Sequence, residues 1–176
     1  MLDGSVFDVA EALLGCRIAT AFGTLRTEVV ITEVEAYAGA DDPASHSYRG
    51  RTPRNTAMFA SPGTLYVYRS YGIHWCMNVV VGEEGLPHAV LLRGGTPFVG
   101  SETMVDRRGR ADHLTDGPGK LCQALGVTGD HDGSSVIDGP VRLIPGEKQG
   151  MIARTSRIGI SVAQDRLWRY VLEDGL

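Results

Sequence analysis

The chain has 176 residues, 43% hydrophobic and 22% charged, with a formal net charge of −4; that size suits one domain burying about 70% of its unfolded surface, and the composition excludes wholesale disorder. No run approaches the roughly 20 apolar residues of a membrane helix, and Met1-Leu2-Asp3-Gly4-Ser5 does not lead from a basic stretch into an apolar one, so no export signal is expected. Three isolated cysteines, Cys16, Cys76 and Cys122, form no CxxC pair, which argues against a disulfide framework and a structural zinc site and for a reducing, cytoplasmic setting.

Ser5, with Asp8 three residues on, marks a helix start. Val9, Ala10, Leu13 and Leu14 continue that helix to a stop at Gly15. Cys16–Thr20 and Leu25–Tyr37 read as strands around a turn at Phe22-Gly23. Glycine, proline, serine and asparagine punctuate residues 39–63, which predicts a long ordered loop. Thr64–Tyr71, Trp75–Val81 and His88–Arg93 predict three further strands, with turns at Gly72 and at Gly82-Glu83-Glu84-Gly85. Past Gly94-Gly95 the patterns weaken to short helices over Ser101–Arg108 and Gly119–Leu125, then strands over Val136–Ile144, Ile158–Val162 and Leu167–Leu172. Successive strands with helices outside them point to one α+β domain over residues 1–176, built on an antiparallel sheet.

The charge is unevenly spread. Residues 1–48 hold two basic and eight acidic groups, whereas residues 49–120 hold nine basic and six acidic ones. Of the 17 cations 15 are arginines, whose planar fork suits phosphate oxygens. The basic middle is therefore either a nucleic-acid surface or an ordinary solvated one. On a strand over Thr32–Tyr37, the side chains of Glu33, Glu35 and Tyr37 share one face. That face is either a site where a carboxylate activates water beside a stacked ligand, or a solvent-facing row with Glu35 paired to an arginine. Tyr66 and Tyr68 likewise share a face, and Tyr71 falls where the strand meets the Gly72 turn. A tyrosine at a turn tip serves a protein interface or a wedge in a base stack, while Tyr66 or Tyr68 also fits a plain sheet position. The loop from His46 to Asn55, with Arg49, Arg51 and Arg54 among Ser, Thr and Asn donors, suits phosphates if it is ordered. Metal and nucleotide signatures are missing: no HExxH, no Gly-x-Ser-x-Gly, and Gly117-Pro118-Gly119-Lys120 is followed by Leu121 rather than Ser or Thr.

The motifs Glu33–Tyr37, Asp42–Ser47, Arg51–Asn55, Met58-Phe59, Pro62–Tyr68, Tyr71-Gly72, Cys76–Asn78 and Val90–Arg93, continued by Gly117–Leu125 and Arg157–Gly159, resemble the mammalian-type alkyladenine (3-methyladenine) DNA glycosylases in order and spacing. The resemblance implies a curved antiparallel sheet in a mixed domain. It also implies a monomeric base-excision enzyme that hydrolyses the N-glycosidic bond of 3-methyladenine, 7-methylguanine, hypoxanthine or ethenoadenine in duplex DNA. By the same resemblance, Glu35 is the general base and Arg93 helps hold water and phosphate at the reaction centre. Tyr37, His46 and Tyr68 form the base pocket, Asn78 crowds the amine of guanine, and Tyr71 is the intercalating wedge. Arg51, Arg54, Ile73, His74 and Lys120 are candidates for the DNA backbone, although Ile73-His74 departs from the mammalian methionine–tyrosine pair. Lys120 and Lys148 are the only lysines and lie outside the aromatic motifs, so hydrolysis is expected rather than a lyase step through an amine. No cofactor, metal, membrane or obligate protein partner is expected. The residues by themselves leave open a non-catalytic damage-binding module or a hydrolase of nucleosides or RNA.

Overall fold

The computed structural model describes residues 1–173. In chain order the elements are α1 (Val6–Leu13), β1 (Arg17–Phe22), β2 (Leu25–Ala38), β3 (Leu65–Ser70), β4 (His74–Val81), β5 (His88–Val99), α2 (Ser101–Arg108), α3 (Pro118–Leu125), β6 (Val141–Ile144), β7 (Met151–Thr155) and β8 (Arg169–Glu173). Short 3-10 turns lie over Gly39–Asp41, Pro53–Phe59 and Gly129–His131.

Every strand pairing is antiparallel, as expected of the α+β reading, and the order across the sheet is β3-β4-β5-β2-β1-β6, with β8 on β2 and β7 on β8. The 14-residue β2 is the spine. One edge of it pairs with β5 over most of its length; the other serves β1 up to Val30 and then β8 from Glu33 to Glu35. The register against β5 shifts between Glu28 and Val29 and twice between Ile31 and Val34. Such bulges bend the strand and curl the sheet. They also change its phase: Val29 and Ile31 lie in the main core, and so do Val34, Ala36 and Ala38. Strict alternation from Ile31 would have turned Glu33 and Glu35 into that core. The irregularity at Thr32-Glu33 puts both acids on the opposite face.

The main core fills the face covered by α1 and α3, where Val6, Val9, Ala10, Leu13, Leu121 and Leu125 meet inward residues of the sheet. The Ser5 hydroxyl caps α1 by accepting from the Phe7 N–H at 3.3 Å. A smaller cluster of Met58, Tyr66, Val80 and Ala89 lies apart from it. By alternation, the face bearing Tyr66 and Ala89 also carries Tyr68, Cys76, Asn78, Leu91, Arg93, Glu35 and Tyr37.

Several expected boundaries are corrected. The strand over 88–93 does not end at Gly94-Gly95 but runs to Val99. A Cβ on Gly95 would lie 2.1 Å from the Val30 carbonyl oxygen, so glycine is needed there for the close approach of β2 rather than for a stop. The expected strand 136–144 shrinks to Val141–Ile144, because Ser135–Gly139 closes a turn through Gly139 N–H to Ser135 O at 2.9 Å. Ile158–Val162 is not a strand; it is an irregular segment with Gly159 at φ +77°. The edge strand Met151–Thr155 is unheralded in sequence, having no fully buried residue and pairing with β8 alone among the described residues. Among the described residues no helix is long and apolar enough to cross a membrane.

Candidate active site

One rung of the sheet forms the floor. Tyr66 on β3 sits opposite Asn78 on β4, which sits opposite Leu91 on β5, which sits opposite Glu35 on β2, which sits opposite Arg169 on β8. Above it opens a cavity of about 540 Å³, whose lining includes Tyr37, His46, Tyr68, Asn78, Arg93 and the segment Ile158–Val162. Residues separated by most of the chain thus meet because the rung crosses five strands that sequence order scatters.

Glu35 has 0% of its surface exposed. It lies directly behind the cavity wall, and three wall groups hold it. The Tyr37 hydroxyl donates to Oε2 at 2.8 Å, the Ile158 N–H donates to Oε1 at 2.7 Å, and Arg93 Nη1 lies 3.3 Å from Oε1. Arg93 in turn donates from Nε to Glu33 Oε1 at 2.8 Å, and Arg169 Nε donates to the same oxygen at 2.7 Å. Burial alone would raise the Glu33 pKa, but the hydrogen bonds from Arg169 and Arg93 outweigh it and lower the carboxyl below its ordinary value. Burial opposes the charge of Arg93, yet the attraction of Glu35 and the bond to Glu33 raise its pKa overall. Beyond Tyr37 the chain of charges continues. The guanidinium of Arg157 lies 4.6 Å from the Tyr37 ring centre and pairs with Asp42 at 2.5 and 2.8 Å, both side chains fully buried.

The aromatic walls are ordered by their own contacts. Tyr66 and Tyr68 stack with centroids 5.6 Å apart, and the His46 ring meets Tyr68 edge-on at 4.5 Å. His46 Nδ1 shares a 2.9 Å hydrogen bond with the Tyr66 hydroxyl. Burial, then the charge of Arg54, lowers the His46 pKa, so the ring stays neutral at pH 7. Burial pushes the Tyr66 hydroxyl up to about 12 and the hydroxyls of Tyr37 and Tyr68 higher still, so all three remain donors. Tyr66 is almost wholly buried, the plain sheet position weighed above, and it borders the cavity together with Tyr68. Asn78 Nδ2 donates to the Tyr66 carbonyl at 3.2 Å, which fixes the amide's orientation in the floor.

The loop before β3 is ordered as expected. Buried Asn55 staples it, donating to the carbonyls of His46 and Gly50 at 3.0 Å each and accepting from the Thr52 N–H at 2.6 Å. Tyr71 stands 87% exposed at the tip of the β3–β4 hairpin. Its φ of +49°, beside Gly72 at +69°, is a left-handed conformation that costs a side-chain-bearing residue about 1–2 kcal/mol. The Ile73 N–H donates to the Ser70 carbonyl at 3.0 Å, and positive φ at both central residues is what such a tight hairpin turn requires, so the backbone conformation belongs to the hairpin while the ring is left uncovered. Ile73 is exposed next to it, and His74 packs against α3, where a Cβ on Gly119 would come within 2.9 Å. Arg54 and Arg69 line the cavity near the hairpin, with Arg54 Nη2 donating to the Arg69 carbonyl at 3.3 Å and Arg69 lying 5.3 Å over the Trp75 ring. Arg51 sits outside the lining, 5.7 Å over Phe59, and Lys120 pairs with Asp116 at 3.0 Å.

The structure therefore brings together Tyr37, His46, Arg54, Tyr68, Tyr71, Asn78 and Arg93 around one cavity, with Glu35 behind its wall. Glu33 was expected only on the shared face with Glu35 and Tyr37, and Asp42, Arg69, Arg157 and the 158–162 segment were given no role of their own in the site, although Asp42 and Arg157–Gly159 lie within the family motifs. Asp42 and Arg157 are 115 residues apart, and neither carries a local signal that predicts the other. Among the described residues no group of three or more His, Cys, Asp or Glu is placed to hold a metal ion.

The methylpurine-DNA glycosylase (MPG) family model matches residues 1–175. A protein of Agrobacterium fabrum named "Putative 3-methyladenine DNA glycosylase" is 48% identical over 170 residues, covering 94% of this chain and 83% of its own length. Proteins of the same name from Methanoculleus marisnigri and Chlamydia pneumoniae are 48% identical over 176 residues (94% of this chain and 88% of theirs) and 43% identical over 180 residues (97% and 91%). With a DNA-glycosylase family profile spanning it from end to end and relatives this similar along almost their whole lengths, the chain belongs to the methylpurine-DNA glycosylase family.

Proposed function

We propose that this enzyme flips alkylated or deaminated purines out of duplex DNA and hydrolyses their N-glycosidic bond with water activated by Glu35. The observation that carries this reading is that one cavity gathers Tyr37, His46, Tyr68 and Asn78 in front of the Glu35–Arg93 pair, with Tyr71 exposed on a hairpin at its side. A base inside a duplex is out of reach, so extrusion is needed and costs a few kcal/mol. Stacking on the aromatic walls returns about 1–3 kcal/mol per ring. Methylation at N3 or N7 leaves a purine cationic, and electron-rich rings attract it by on the order of 1–2 kcal/mol when desolvated. The walls thereby favour lesions without reading sequence, and Asn78 in the floor bars the amino group of normal guanine.

In the reaction, water oxygen bonds to C1′ as the C1′–N9 bond breaks and its electron pair leaves with the purine. The water proton passes to Glu35, and the carboxylate faces the positive charge that develops on the sugar. A carboxylate offers about four acceptor directions. Two on Oε1 are taken by Ile158 and Arg93 and one on Oε2 by Tyr37, which leaves one on Oε2 for the water.

The test is a release assay on one duplex carrying 3-methyladenine, 7-methylguanine, hypoxanthine or ethenoadenine in turn. We expect free base and an abasic strand that breaks only after alkali. Strand breakage without alkali, with a borohydride-trapped adduct, would replace hydrolysis by a lyase; turnover of free nucleosides with none on duplex would overturn the DNA reading.

Binding to lesion duplex should also weaken steeply with salt. Each phosphate neutralised contributes about 0.9 to the slope of log K against log salt, so Arg54→Ala should reduce that slope by roughly 0.9. A flat response would remove the arginine rim from the interface.

A further inference from the structure

We infer that Arg157 and Asp42 are positioning residues that hold the hydrogen-bonded cage of Glu35 in its working geometry, an inference that rests on Glu35 being the base. Two of the three groups on Glu35 trace back to Arg157. The first is the N–H of the very next residue, Ile158, on Oε1; the second is the hydroxyl of Tyr37, on Oε2, whose ring Arg157 covers at 4.6 Å.

Both terminal nitrogens of the guanidinium are held. Asp42 takes Nη1 at 2.5 Å and Nη2 at 2.8 Å, the Ala36 carbonyl of β2 takes Nη1 again at 3.0 Å, and the rings of Tyr37 and Trp168 (5.0 Å) pack against it. Asp42 is itself anchored by the N–H groups of Ala38 at 3.4 Å and Ala44 at 3.2 Å. No strand ladder performs this task. Between Thr155 at the end of β7 and Arg169 at the start of β8 the chain is irregular, with Gly159 and Ala163 at positive φ. The Ile158 N–H is therefore aimed by the side chain of its neighbour.

Stability alone accounts poorly for the arrangement. A buried ion pair rarely stabilises a fold more than apolar packing of similar volume does, and here the Arg157 Nε remains buried without a partner among the described residues. What the pair adds is direction: a planar fork gripped at both terminal nitrogens, with the Tyr37 and Trp168 rings packed against it.

The experiment measures single-turnover base release and lesion-duplex binding for Arg157→Lys and Asp42→Asn, each in the wild-type and in the Glu35→Gln background, with melting curves to follow the fold. Lysine keeps the charge but loses the fork, and asparagine keeps the shape of Asp42. We expect each variant to slow base release about 10- to 100-fold with affinity held within about threefold, since sub-ångström misplacement of a reacting group acts on the rate. In the Glu35→Gln background the same substitutions should add nothing, because their effect runs through the carboxylate. An unchanged rate, an equal loss of rate and affinity, or the same further loss in the Glu35→Gln background would each overturn the inference. A wild-type rate for Glu35→Gln by itself would instead overturn the base assignment beneath it. Should Arg157→Lys melt below the assay temperature, Asp42→Asn decides by the same readings.

Discussion

Glu35→Gln should slow base release by about 10²–10⁴-fold, the range ascribed to a positioned general base, while lesion-duplex affinity stays near that of the wild type. Glutamine preserves volume and one acceptor oxygen, so either the Tyr37 hydroxyl or the Ile158 N–H keeps its partner. What disappears is a second acceptor and the negative charge beside the reacting sugar. Arg93 is not orphaned, since Glu33 still accepts from its Nε at 2.8 Å, and the buried face should therefore keep its fold. Single-turnover release from one alkylated duplex, read beside a binding isotherm, measures the two effects apart. Equal rates for the two proteins would mean that water is activated elsewhere, or that the cavity binds damage without removing it.

Tyr71→Ala produces the second large effect, and it falls on binding. Nothing in the fold covers this ring, so its side chain adds little packing to the folded protein. Removing an exposed side chain of this kind should shift stability by no more than about 0.5 kcal/mol. As the proposed wedge the ring would fill the gap left by an extruded base, and one aromatic–base stack is worth about 1–3 kcal/mol, roughly 5- to 150-fold in affinity. The loss should be confined to lesions in duplex DNA, because a base already in single-stranded DNA leaves no gap to fill. Titrations of the same lesion in both contexts test this. An equal loss in both would make Tyr71 a general stacking platform rather than a wedge.

Much of the site was legible because sheet alternation has a period of two and tyrosine, glutamate and arginine interrupt an apolar pattern visibly. Glu33, Glu35 and Tyr37 were expected on one face, as were Tyr66 and Tyr68, and the structure has them so. The ordered loop was foretold by its glycines and Pro53, although the staple that orders it, Asn55, was not singled out. Family resemblance, resting on motifs spread from Glu33 to Gly159, supplied the roles that spacing alone left open.

Local signals failed wherever the deciding contact lay far along the chain. Gly94-Gly95 reads as a break until β2 presses against it, and Ile158–Val162 reads as an apolar strand until the cavity it lines is formed. The phase change at Thr32-Glu33 arises from pairing with β5, so only the assembled sheet fixes which way the acids turn. Chain composition thus determined the class of fold and the stock of reactive groups. The closure of Arg157 onto Asp42 and the enclosure of Glu35 behind Tyr37, Arg93 and Ile158 came from packing, because a buried charge finds its partner by proximity in space and carries no trace of that choice in its neighbours along the chain.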